Sequence, residues 1–195
     1  MTGKASFQHQ SVILDACCVI NLFATGYMEP MLAVYPLQCV VSSFVADKEA
    51  LSVFDGFDNA GKPKKETIDL VPLINAGVLE IVYPNWSRHS SYLIELVGGG
   101  MRGMGEKISG AMAQEENWAI ATDDRNARRI FTALMPNTQL ITTLDFVKNW
   151  VEVENISNQI VSDILRRIYV KGRYEISQDH PLFSWASVFQ HNLGQ

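Results

Sequence analysis

The sequence predicts an α/β fold in which a central, mostly parallel sheet is flanked by helices in three layers. Three observations carry the prediction. First, short β-rich apolar runs alternate with helix-patterned stretches: SVIL (11–14), QCVV (38–41), VLEIVYP (78–84), WAIAT (118–122) and TQLITT (138–143). Such alternation builds parallel strands covered on both faces. Second, hydrophobic residues make up 47% of the 195 residues and charged residues 19%, which suits one packed core and argues against disorder. Third, two of the runs lead directly into acidic residues, Asp15 and the Asp123-Asp124 pair. In parallel sheets, functional groups gather beyond the carboxyl ends of the strands.

Each element has a local cause. The strand Ser11–Leu14 stops at Asp15, and ACCVINLFAT follows as a short helix closed by Gly26. Pro30 opens a second helical stretch, MLAVY, which ends before Pro36. After the strand at 38–41, Ser42 and Ser43 are candidate N-caps for a helix over FVADKEALSVF, 44–54. On that helix Val45, Glu49 and Ser52 share a face. DGFDNAGKPKKE, 55–66, reads as an exposed turn or hairpin tip. The strand at 78–84 ends at Pro84, and a helix over 87–97 ends at Gly98-Gly99-Gly100. Gly105 and Glu106 open a helix on which Ile108, Ala111, Met112 and Glu115 keep helical spacing. RNARRIFTAL is a helix stopping near Pro136. LDFVKNWVEVE and ISNQIVSDILRRIYV give two more, and a turn, an extended piece and a last helix complete the chain. The whole, 1–195, reads as one domain with its core at about 11–146 and a C-terminal helical extension at about 147–195.

Several classes are disfavoured. No run approaches the roughly 18–20 apolar residues of a membrane span, and the first ten residues lack the layout of a secretory signal. No membrane partner and a cytoplasmic location are therefore expected. Cys17, Cys18 and Cys39 are odd in number and form no CxxC pair, so they read as buried, reduced thiols. His9, His89, His180 and His191 are scattered, which argues against a histidine-based metal site. The formal net charge of −5 counts against a large duplex-binding surface, but carboxylates that hold cations would themselves make it more negative. The glycine-rich stretch before Glu106 lacks the GxxxxGK[ST] pattern of a phosphate loop and reads as a tight turn or mobile loop. Trp118, Trp150 and Trp185 are spread out and suit burial.

The acids remain. Asp15 and Asp123-Asp124 follow strands, Glu106 starts the helix before WAIAT, and Glu49 follows QCVV. Together they can line one crevice. Mg²⁺ and Mn²⁺ are hard ions that take carboxylate oxygens, and they activate water against phosphodiesters. Singly, each acid also has a plain role. Asp15 and one of Asp123 and Asp124 suit N-caps, Glu106 suits the helix macrodipole, and Glu49 suits a solvated helix face. Arg125, Arg128 and Arg129 fall on one helical face, equally apt for phosphate contact or for a solvated, paired surface.

VILDACCVINLF resembles the opening of PIN domains: an apolar strand, an Asp, small residues, then an Asn. GMGEKISGAMAQEENWAIATDDRNARRI resembles their central motif, and SSFVADKEAL resembles the segment that supplies their second acid. The resemblance covers about 11–146 and is strongest over 103–130. It implies a PIN-like three-layer fold and a Mg²⁺- or Mn²⁺-dependent endoribonuclease in which water attacks an RNA phosphodiester in line, leaving a 5′-phosphate. Residue by residue, it implies catalytic roles for Asp15, Glu49, Glu106 and Asp124, with Asp47 the alternative to Glu49. It implies metal binding by Asp15, Glu106, Asp123 and Asp124. Asn21, Thr122, Arg125 and Arg128 are the expected RNA-binding residues. VapC-type toxins of this family are held by antitoxins, so RNA, an antitoxin protein and a second copy in a homodimer are the partners it suggests. A non-catalytic PIN-like module that binds RNA or protein is the alternative, and the full acid set argues against it. A phosphatase on a similar sheet would carry DxD after the first strand, where this chain has Ala16 and Cys17. The chain is longer than the shortest toxins, and VKGRYEIS resembles the ending of one PIN subgroup.

Overall fold

The computed structural model describes residues 9–190. In chain order, β1 (Ser11–Leu14), α1 (Ala16–Thr25), α2 (Met28–Ala33) and β2 (Gln38–Ser42) come first. A single π-helical turn, Val45–Glu49, and a hairpin of β3 (Ser52–Phe57) and β4 (Pro63–Thr67) follow. Then come α3 (Val71–Asn75), β5 (Glu80–Val82), α4 (Trp86–Gly98), α5 (Met104–Glu116) and β6 (Ala119–Ala121). The chain closes with α6 (Arg125–Leu134), β7 (Leu140–Ile141), α7 (Thr143–Glu154), α8 (Asn158–Val170) and α9 (Phe183–Gln190). The central sheet has the order β5-β2-β1-β6-β7, and every pair in it is parallel.

The strands read as unbroken apolar runs because both faces are covered, and their side chains alternate between two cores. Val12, Leu14, Cys39, Val41, Ala119, Ala121 and Ile141 face one cluster, filled from α1, α2, α7 and α8. Ile13, Val40 and Ile120 face the other, filled from α4, α5 and α6. Helices on both faces complete three layers. Burying Val12, Ile13 and Leu14 fully contributes about 1.5–3 kcal/mol each, so β1 is firmly seated where it delivers Asp15. No helix among the described residues is long and apolar enough to cross a membrane.

One expectation needs correction. The helix over 44–54 is only the π-helical turn Val45–Glu49; Ala50 leaves helical geometry, and Ser52 already starts β3. Ser42 does cap that turn, its hydroxyl accepting the Val45 N–H at 3.3 Å. What displaces the helix is pairing with β4, in which Ser52, Val53 and Phe54 lie opposite Thr67, Glu66 and Lys65. The segment 55–66 is thus largely strand, and its tip is turned by Asp58, whose Oδ1 accepts the Ala60 and Lys62 N–H groups at 2.8 Å each. The C-terminal helices pack onto the sheet. Phe146, Val147, Trp150, Ile164 and Ile168 belong to the same core as β1.

Candidate metal centre

Parallel strands deliver their loops to one end of the sheet, and the acids meet there. Asp15 follows β1 and is 4% exposed. It occupies the N-cap position of α1, but its side chain makes no capping hydrogen bond. Its Oδ2 instead accepts the Thr122 hydroxyl at 3.0 Å and the Cys17 thiol at 3.3 Å. Thr122 also accepts the Asp124 N–H at 3.2 Å, so one hydroxyl fixes β1 and β6 relative to each other.

Helix N-termini hold three further carboxylates. Glu49 Oε1 accepts the Gly105 N–H at 3.1 Å, and Glu106 Oε2 accepts the Gly103 N–H at 3.2 Å, both at the start of α5. Asp124 caps α6, its Oδ1 accepting the Ala127 N–H at 2.7 Å. Aligned peptide dipoles at these ends favour negative charge and offset part of the repulsion. Gly105 is required by the close approach: a Cβ there would lie 1.8 Å from Glu49 Oε2. Asp47, the alternative second acid, is exposed, whereas Glu49 turns toward α5.

The electrostatics register the gathering. Burial raises the proton affinity of Asp15, hydrogen bonds from Cys17, Ala16 and Thr122 oppose this, and the charge of Glu49 adds to it. Burial likewise raises that of Glu106, helped by the charges of Asp15, Asp124 and Glu49. Among the described residues no Lys, Arg or His forms an ion pair with any of the four. Their donors are carboxylate oxygens, the chemistry that Mg²⁺ and Mn²⁺ prefer, and the missing counter-charge is what a divalent cation would supply.

Asp123 belongs to a different arrangement, although it was expected among the metal ligands. It is buried, and its Oδ2 accepts Asn21 Nδ2 at 2.7 Å, the Cys18 thiol at 3.6 Å and the Thr143 hydroxyl. Its Oδ1 accepts the Thr143 N–H at 3.0 Å. Four donors occupy this carboxylate, so it ties α1, β6 and α7 together. Cys17, Cys18 and Asp123 bring ligand atoms within 4.8 Å of one another. Burial, the Cys17 hydrogen bond and the nearby Asp123 charge push the Cys18 thiol far above its ordinary value, so in the metal-free protein it stays protonated and donates to Asp123.

The expected RNA-binding residues divide. Asn21 and Thr122 are buried, at 3% and 0% exposure, and act on Asp123 and Asp15 rather than on solvent. Arg128 is half-buried and donates to the carbonyls of Thr122 and Ile141 at 3.3 Å each, bracing β6 and β7. Arg129 turns to Asn126 at 3.0 Å, away from that brace. Arg125 is exposed, and its one side-chain hydrogen bond among the described residues goes to Ser177 at 3.5 Å. Cys17, read from sequence as an inert thiol, proves to be a contact of Asp15; its position two residues beyond that acid, in the first turn of α1, was the available signal. No family model matches the chain, and no curated protein matches it.

Proposed function

We propose that this chain is a PIN-type, metal-dependent endoribonuclease that hydrolyses RNA phosphodiester bonds in the crevice of Asp15, Glu49, Glu106 and Asp124. The observation that carries the reading is Asp15, a 4% exposed carboxylate at a helix start that caps nothing, feels the charges of Glu49 and Glu106, and forms no ion pair among the described residues. A buried charge of that kind is retained where a cation balances it. Asp15, Glu49, Glu106 and Asp124 would hold Mg²⁺ or Mn²⁺. When bound, such a cation supplies an activated water and offsets the charge that gathers on the phosphodiester.

The chain's own residues supply the rest. Thr122 and Cys17 fix Asp15 in one orientation through Oδ2. Glu49 and Asp124 are each anchored by one helical N–H, so little reorganisation is left for the moment of reaction. Glu106 has Oε2 engaged by Gly103, which leaves Oε1 to accept a proton from the attacking water. Its raised proton affinity suits that task.

Single-stranded RNA incubated with the protein and Mn²⁺ or Mg²⁺ is the test. Cleavage is expected with wild type, and EDTA should abolish it. Asp15→Asn should slow cleavage by at least ~100-fold, the scale set by removing one preorganised charge-stabilising group. Equal rates for wild type and Asp15→Asn would sink the reading.

A further inference from the structure

The order β5-β2-β1-β6-β7 sets two different surfaces on either side of the crevice, at the same end of the sheet. Beyond β5 and β2 lies an open cavity of about 350 Å³ walled by Tyr83, Trp86 and Lys48 among others. Tyr83 is 75% exposed and Trp86 52%, unusual for large aromatic side chains, and neither meets a partner ring among the described residues. Beyond β6 and β7 lies a second cavity, of about 220 Å³, between the start of α6 and the 174–181 loop. Arg125, Tyr174 and His180 line it. His180 Nδ1 accepts the Leu182 N–H at 3.0 Å, which places the proton of the neutral ring on Nε2, a buried donor that meets no acceptor among the described residues.

Charge alternates across this edge. Lys48 and Arg125 are exposed and form no ion pair among the described residues, while the four acids between them have no cation. Of the acids at the flanks, Asp47, Glu175 and Asp179 are exposed, and Asp123, which also lines the second cavity, is buried with its oxygens already taken by Asn21, Cys18 and Thr143. Four strand intervals of about 4.8 Å separate the flanks by roughly 19 Å. Aromatic faces, an orphan donor and free cations at that spacing match a single strand of nucleic acid, whose bases stack and whose phosphates accept.

We propose that single-stranded RNA crosses the carboxyl edge of the sheet, with a base stacked on Tyr83 and Trp86 beside Lys48, and a nucleotide on the far side of the scissile bond seated against Arg125, Tyr174 and His180. This rests on the endoribonuclease reading and adds the path and the two flanking subsites. It gives the 174–181 loop a part in binding substrate.

An eight-nucleotide RNA in EDTA, where cleavage is blocked, is the first probe. It should quench the emission of exposed Trp86, and Trp86→Ala should remove that quenching. With metal present, Trp86→Ala and Arg125→Ala should each raise KM for the same RNA about tenfold at little-changed kcat, and the double variant roughly a hundredfold. A dinucleotide cannot reach both flanks, so it should feel at most one of the two substitutions. Both side chains are exposed, and unchanged melting temperatures would confirm that the variants fold. If wild type cleaves RNA, Asp15→Asn does not, and both flank variants keep the wild-type KM, the track is wrong and the nuclease reading stands. If no RNA is cut but the oligonucleotide still quenches Trp86, the nuclease reading falls and the binding track survives.

Discussion

Asp123 and Asp124 are adjacent in sequence, yet they belong to two regions built on opposite principles. Around Asp123 every charge is answered from within: Asn21, Cys18 and Thr143 supply four donors to one carboxylate. In the neighbouring crevice Asp15, Glu49 and Asp124 repel Glu106, none of the four forms an ion pair among the described residues, and each is steadied by hydrogen bonds. The difference teaches how to tell a structural acid from a functional one at the same sheet end. A satisfied carboxylate holds the fold; an under-compensated cluster weakens it and is kept for what it can bind.

The comparison breaks most visibly in stability. Asp123→Ala strands the Thr143 N–H and Asn21 in the interior and should cost about 3 kcal/mol, the scale of breaking a buried charge network. That lowers the melting temperature by roughly 10 °C in a chain of this size, readable by calorimetry. A loss under about 2 °C would mean the four donors are not what holds that corner together. Magnesium should act on the other region alone. At a hundredfold excess over its dissociation constant it should stabilise wild type by about 2.7 kcal/mol. Asp15→Asn should lose that shift, whereas Asp123→Ala should keep it.

A smaller effect carries a definite sign with pH. Asp15 and Glu106 bind protons more tightly folded than their ordinary values of 3.8 and 4.5. In the metal-free protein, the ionised cluster therefore destabilises the fold above the raised folded values. The penalty eases as pH falls through them and is gone below the ordinary ones. Asp15→Asn should melt roughly 3 °C above metal-free wild type at pH 7, and this advantage should shrink toward pH 4. An advantage that grows on acidification would contradict the assignment of strain to the crevice. Smallest is Gly105→Ala. Its new methyl displaces Glu49 while alanine improves helix propensity by about 1 kcal/mol, so stability should barely change. Magnesium affinity, measured by titration calorimetry, should fall about tenfold.

Much of the fold was legible because buried parallel strands have a strong signature: SVIL, QCVV and WAIAT are apolar apart from one terminal polar residue each, and turns or acids end them. The hairpin was not. β4, PKKET, is exposed at every position and alternates nothing, so no pattern competed with the helical spacing of FVADKEALSVF. In the site, Asp15, Glu106 and Asp124 could be located from strand and helix ends. The division of labour between Asp123 and Asp124 could not, because it depends on which neighbour faces Asn21 and Thr143, a hundred and two and twenty residues away. Arg128 looked like one of three equivalent cations, and only the carbonyls of Thr122 and Ile141 set it apart.

The position of β1 has a consequence for synthesis. The first of the described strands in chain order, β1, is the middle strand of the sheet, and Asp15 waits for a hydroxyl 107 residues downstream. A nascent chain has no assembled crevice until β6 and the turn behind it have emerged, so whatever chemistry the four acids carry is latent while the chain is still being made. Pairing over such separations is slow to form. Latency during translation is thereby written into strand order, with no separate inhibitory segment required.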